Sequence, residues 1–154
     1  LGDVYKRQIM SLIKLTHESI NPYKLISDYK KANCDAKTIG GESIFIGYMR
    51  SNNSTRQDVT SMDLEFYPKM TSSYLENLSN TIITKYKLEN ILIAHRVGRV
   101  FPGDCIVVVC CWSMHRKESI EAVKIVLEDL KHNAPLWKKE HFNDKTSAWV
   151  EKNT

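Results

Sequence analysis

Eight consecutive apolar residues, Cys105-Ile106-Val107-Val108-Val109-Cys110-Cys111-Trp112, set the strongest limit on how this chain folds. The run is far short of the ~20 residues that a membrane-crossing helix needs. It is rich in β-branched and aromatic types, so it reads as a strand. A strand apolar at every position must be covered on both faces, which makes it a central strand. The next segment supplies one cover. Ser113 is a candidate helix N-cap, and Ile120, Val123, Val126, Leu127 and Leu130 form the apolar stripe of a helix that Pro135 stops.

The other elements follow from the same patterns. Leu12–Thr16 reads as a short strand. Asn21-Pro22 opens a helix, with Asn as cap and Pro preorganised at the first position, and Tyr23, Ile26 and Tyr29 keep helical spacing. Gly40-Gly41 breaks the chain before a strand over Ser43–Met49. Ser51–Gln57 has no apolar residue and reads as a mobile loop. Thr60, Met62, Leu64 and Phe66 alternate with Ser61, Asp63 and Glu65, the mark of a half-buried strand that Pro68 ends. A helix over Thr71–Lys87 carries the stripe Tyr74, Leu75, Leu78, Ile82 and Tyr86. Ile91–Val97 is a strand, Phe101–Asp104 a turn, and Trp137–Phe142 a last strand before a loose tail ending near Trp149. Strands outnumber the three helices, which gives an α+β class without repeats or linkers.

A chain of 154 residues suits one domain. Met10 reads as a start, so residues 1–9 are expected to be a non-native or disordered flank, 10–150 the domain and 151–154 a tail. The flank has no apolar signal core. Cys34, Cys105, Cys110 and Cys111 form no C-x-x-C pair, and neighbouring strand residues point to opposite faces, so they are expected as free thiols in a reducing, cytoplasmic setting. The Asn-x-Ser/Thr matches at Asn52, Asn53 and Asn77 are then chance. A net charge of +4 is too small to argue for nucleic acid but would steer an anionic small molecule or an acidic partner.

Four cationic positions stand out. Arg50 sits where a strand meets the polar loop. His115-Arg116 opens a helix, where unpaired N–H groups already favour an anion. Lys131 lies in the last turn of that helix, and Lys138, followed by Lys139 and Glu140, comes after Pro135 and Trp137. Each has a bland reading as a solvated edge charge or a complement to the helix dipole. Geometry adds a constraint. At ~1.5 Å per residue, His115 and Lys131 lie roughly 24 Å apart along one helix. A small-molecule ligand cannot touch both ends, so a shared site requires a symmetric homodimer in which His115 and Arg116 reach the other copy's pocket.

Five stretches together resemble the large, catalytic subunit of molybdopterin synthase: Gly47-Tyr48-Met49-Arg50-Ser51-Asn52-Asn53, Leu64-Glu65-Phe66-Tyr67-Pro68-Lys69-Met70, His95-Arg96-Val97-Gly98, Ser113-Met114-His115-Arg116, and the block from Leu130-Lys131 through Pro135-Leu136-Trp137-Lys138-Lys139-Glu140. They keep the family's order over about 44–149. The resemblance implies an α/β-hammerhead-like single domain with a mixed, mainly antiparallel sheet. It also implies a central homodimer that carries a small ubiquitin-like sulfur-carrier subunit at each end, making a heterotetramer. The carrier ends in a Gly-Gly thiocarboxylate, and two sulfur transfers convert cyclic pyranopterin monophosphate to molybdopterin. No metal or other cofactor, nucleic acid or membrane is implied. Substrate-binding positions fall on Tyr48, Met49, Arg50, His115, Arg116, Lys131, Lys138, Lys139 and Glu140, with Lys131 and Lys138 catalytic. Two positions depart from relatives: the loop Ser51-Asn52-Asn53-Ser54, often His or Gly there, and Leu127, which can be Met.

The residues accept those assignments. Arg50, Arg116 and the His115 helix start suit a phosphate, and a lysine among several cations should have a lowered pKa and exchange protons near neutrality. Arg96 is expected to serve the fold, and Cys111 is a weak candidate for carrying sulfur. A phosphate-ester hydrolase using His115, or a small RNA- or peptide-binding module, are the competing readings. The second should set aromatics beside basic residues on exposed strands, a pattern that Tyr48 and Tyr67 fit only loosely, and no RNP-type motif is present.

Overall fold

The apolar run forms β7 (Cys105–Ser113), which lies between β5 (Asn90–Arg96) and β3 (Gly41–Tyr48), antiparallel to both. The computed structural model describes residues 2–7 and 10–151. β5 continues the sheet in parallel to β2 (Ser11–Thr16), whose other edge pairs with β1 (Val4–Arg7), giving the order β1-β2-β5-β7-β3. Three helices accompany it: α1 (Pro22–Asn33), α2 (Pro68–Tyr86) and α3 (Arg116–Asn133). β4 (Val59–Phe66), β6 (Gly98–Val100), β8 (Leu136–Phe142) and β9 (Ser147–Trp149) form a second, antiparallel sheet in the order β6-β4-β8-β9. The mixed, mainly antiparallel α+β domain with three helices is therefore what the sequence led us to expect, divided between two sheets.

β7 is covered as its composition demands. On one face Val109 and Cys111 pack with Leu75, Leu78 and Ile82 of α2 and Ala122, Val126 and Leu130 of α3. On the other, Val108, Cys110 and Trp112 pack with Ile26 and Tyr29 of α1. Each fully buried aliphatic side chain contributes about 1.5–3 kcal/mol to holding the layers together. A third cluster, Met49, Val59, Met62, Leu64, Val100 and Phe142, joins the second sheet to the end of the first. The chain crosses between sheets at Val97-Gly98. Gly98 has φ +77°, and a Cβ there would meet the His17 ring at 2.9 Å.

Several expectations change. Ser113 is not the α3 cap: it ends β7, and His115 takes the N-cap position without a side-chain hydrogen bond. The buried stripe of α3 is Ser119, Ala122, Val126 and Leu130, whereas Ile120 is 57% exposed. Small residues let the helix lie close to β3, where the Ser119 and Ser43 hydroxyls are 3.0 Å apart. Tyr23 likewise faces outward from α1. Pro68 both ends β4 and starts α2. Within the segment expected to be a flank, Val4–Arg7 forms an edge strand, and Asp3 accepts from the Thr16 hydroxyl at 2.6 Å. Residues 1, 8, 9 and 152–154, parts of that flank and of the expected tail, lie outside the described residues. The tail near Trp149 is not loose, because β9 pairs with β8.

Candidate active site

Where β3 ends, a bulge between Gly47 and Tyr48 shifts the register with β7. Such a bulge re-aims side chains. Met49 turns into the core, held by its N–H to the Asp104 carbonyl at 2.9 Å, while Tyr48 and Arg50 stay exposed. Opposite them, β8 presents Lys138, Glu140 and Phe142 on one face, because alternate strand residues share a side. The two elements bound a cavity of about 700 Å³ lined by Tyr48, Met49, Arg50, Lys138 and Glu140 among others. Five of the nine expected site residues thus meet in one place, and the volume suits a small-molecule ligand.

Lys138 is the unusual charge there. Burial pulls its ammonium below the ordinary lysine value, and the Glu140 carboxylate opposes that shift. Behind it His95 is 6% exposed. Its Nδ1 lies 2.7 Å from the Arg96 carbonyl, which can only accept, so Nδ1 carries the hydrogen. Burial, then the nearby Lys138 charge, hold its pKa down to about 4, so the imidazole is neutral near pH 7. Arg96 is buried as well and donates to the Arg99 carbonyl at 3.1 Å, in keeping with a role in the fold.

The other four expected residues lie elsewhere. Lys139 points to the opposite face of β8, with its ammonium 5.4 Å from the Trp149 ring centroid. His115 and Arg116 are exposed at the start of α3 and Lys131 in its last turn, and none of the three lines the cavity. The α3 start is set by close backbone packing. The Gly40 N–H donates to the Ser113 carbonyl at 3.0 Å, and a Cβ on Gly40 would sit 1.9 Å from the Met114 carbonyl oxygen. Leu127 packs against the core beneath α2 and α3, away from the cavity.

Sequence reasoning missed two parts of the wall. The loop expected to be mobile, Ser51–Gln57, is pinned: Val59 N–H returns to the Ser51 carbonyl at 2.9 Å, and Asn53 and Arg56 bond to the β8 side. The C-terminal segment 146–151 closes the opposite rim. The only local signal was the Asn53-x-x-Arg56 spacing, which permits an Asx turn. On the outer face of the second sheet a further cavity of about 660 Å³ lies among His17, Asp63, Glu65, Tyr67, Trp137 and Trp149.

Comparison with known proteins agrees with this architecture. The family model described as "MoaE protein" matches residues 15–133. A molybdopterin synthase catalytic subunit from Caulobacter vibrioides is 31% identical over 140 residues, covering 91% of this chain and 89% of that protein. One of the same name from Pseudomonas aeruginosa is 40% identical over 113 residues, covering 73% and 74%. Among solved structures, a molybdopterin biosynthesis MoaE protein from Burkholderia ambifaria superposes with TM-score 0.76 at 29% identity, covering 94% and 92%. A complex of subunits 1 and 2 of molybdopterin-converting factor from Helicobacter pylori contains a chain with TM-score 0.75 at 20% identity, covering 92% of each, which speaks to the fold alone. With most of its length inside the family model and relatives above 30% identity over most of both chains, this chain belongs to the MoaE protein family.

Proposed function

We propose that the chain is the catalytic subunit of a molybdopterin synthase, a sulfurtransferase that converts cyclic pyranopterin monophosphate to molybdopterin with two sulfurs from the thiocarboxylated Gly-Gly end of a small carrier subunit. The observation that carries this reading is the roughly 700 Å³ cavity that a half-buried Lys138 lines together with Arg50 and Glu140. The names of the curated relatives, each a catalytic subunit of molybdopterin synthase, support both the activity and a partner subunit.

The residues divide the work. Arg50 holds the phosphate, which gains negative charge when its ring opens. Lys138, its pKa lowered by burial, gives and takes protons as sulfur adds and oxygen leaves. Lys131 of one copy and His115 and Arg116 of a second copy complete the site across a homodimer, because α3 is too long for its two ends to serve one pocket. The edge strand β3 supports a second copy: Ile44 is 43% and Phe45 41% exposed beside an open row of backbone groups. With a carrier at each end the assembly is a heterotetramer. The buried free thiols among the described residues support a reducing cytoplasmic location, and sulfur arriving on the partner leaves them no role in transfer.

Co-purification with a thiocarboxylated Gly-Gly carrier, followed by assay on cyclic pyranopterin monophosphate, tests the proposal. Product should form only with the carrier present; turnover without it, or none with it, defeats the reading. Lys138→Ala and Lys131→Ala should fold normally yet lose about 100-fold or more in rate. Wild-type rates in either would remove that lysine from the mechanism.

A further inference from the structure

The loop that follows Arg50 is built around two side chains. The Asn53 Oδ1 accepts from the backbone N–H groups of Thr55 at 2.8 Å and Arg56 at 2.7 Å, and the Asn53 N–H donates to the Arg56 carbonyl at 2.8 Å. With Oδ1 committed to donors, Nδ2 faces the cavity, where it donates to Glu140 Oε1 at 3.0 Å. Arg56 fastens the other end. Its Nε and Nη2 grip both oxygens of Asp58 at 2.8 and 2.6 Å, and Nη2 also reaches Asp144 at 3.0 Å in the β8–β9 turn. The guanidinium lies 3.9 Å from the centroid of the Phe142 ring. Asp144 is in turn held by the backbone N–H and hydroxyl of Thr146. Each ion pair is part-exposed and contributes little stability alone. The two-oxygen fork and the ring below it fix direction instead.

We infer that Asn53 and Arg56 are positioning residues: Arg56 locks the loop to the β8–β9 turn, and the Asn53 amide thereby holds the Glu140 carboxylate beside Lys138. Lys138 and Glu140 are two apart on β8 and share a face. The other charged or titratable groups around the cavity are Tyr48 at the end of β3, Arg50 and Arg56 beside and within the loop, Glu151 beyond β9, and the neutral His95 of β5, while β4 contributes the apolar Met62. Glu140 is thus the carboxylate nearest in the chain, and its direction sets how strongly its charge offsets the burial of the Lys138 ammonium. The catalytic consequence rests on the role proposed above for Lys138; the positioning itself does not.

The test reads both. Asn53→Ser keeps a short acceptor for the turn but cannot reach Glu140. Side-chain carbon NMR of labelled lysine in the intact protein should show Lys138 titrating about one pH unit lower than in wild type. Arg56→Lys, which keeps charge and loses the fork, should shift it the same way. In a Glu140→Gln background, Asn53→Ser should add less than about a twofold further change in kcat, because both act through one contact. The pH–rate profile of Asn53→Ser should move with the titration while KM for the precursor stays within about twofold. An unmoved Lys138 titration in Asn53→Ser, or effects that multiply independently with Glu140→Gln, overturns the inference; an unmoved titration in Arg56→Lys overturns the part given to Arg56. A titration that shifts in a protein with no sulfur transfer defeats the proposed activity and leaves the positioning standing.

Discussion

A mixed dimer of two inactive copies should work at about half the wild-type rate if each site is assembled from two chains. One copy carries Lys138→Ala and the other His115→Ala with Arg116→Ala. Each homodimer is damaged at both sites. Losing a proton-carrying lysine, or two charge-assisted contacts worth about 1.5–3 kcal/mol each, lowers turnover about 100-fold or more. In the mixed dimer one cavity has lost Lys138 and also receives the truncated helix start. The other keeps Lys138 and receives an intact His115-Arg116. The structure motivates this directly: α3 runs from Arg116 to Asn133, and His115 and Arg116 are absent from the lining of the cavity that holds Lys138. The two copies, differently tagged, are co-expressed, isolated by sequential affinity steps and assayed with thiocarboxylated carrier and cyclic precursor. A mixed dimer no more active than the better homodimer would refute the shared-site argument, as would a wild-type chain that sediments as a monomer while turning over.

Three further outcomes follow from single contacts. Gly40→Ala should lower unfolding stability by about 1–3 kcal/mol in urea and reduce turnover with every charged group intact, because its Cβ collides with the Met114 carbonyl beneath the α3 start; unchanged stability would show that this packing is loose. Arg99, and then His141, hold the Asp63 carboxyl at about pKa 2, below its ordinary value of 3.8. That stabilisation is complete above about pH 4 and lost as pH falls through about 2, so the stability gap between wild type and Asp63→Asn should close over that window. Burial raises the thiols of Cys110 and Cys111, the latter to about 12. Mass spectrometry of native protein alkylated at pH 8 should find both unmodified, and Cys111→Ser should transfer sulfur normally.

How far the sequence speaks depends on the range of the interaction concerned. The eight-residue apolar run, the Asn21-Pro22 helix start and the alternation from Thr60 to Phe66 record local rules, and all three reappear as β7, α1 and β4. The motif residues Arg50, Lys138 and Glu140 were recognisable from their neighbours along the chain. Helix rotation was harder. Ile120 fitted the apolar spacing of α3, yet Ser119 and Ala122 face the sheet, since close approach to β3 selects for size over hydrophobicity.

Local spacing by itself determined where the three helices and six of the nine strands among the described residues, β2, β3, β4, β5, β7 and β8, form, that one strand lies at the centre, and that α3 is too long for both of its ends to reach one ligand. Only the tertiary structure decided that the strands split into two sheets, that Lys138 and Glu140 face the cavity while Lys139 turns away, and that a loop without one apolar residue is bonded across it through Asn53 and Arg56. The reason is physical. Backbone periodicity is set by neighbours a few residues apart, whereas a carboxylate's direction and a lysine's burial are set by groups some 80 to 90 positions distant in sequence, which meet only after the chain has folded.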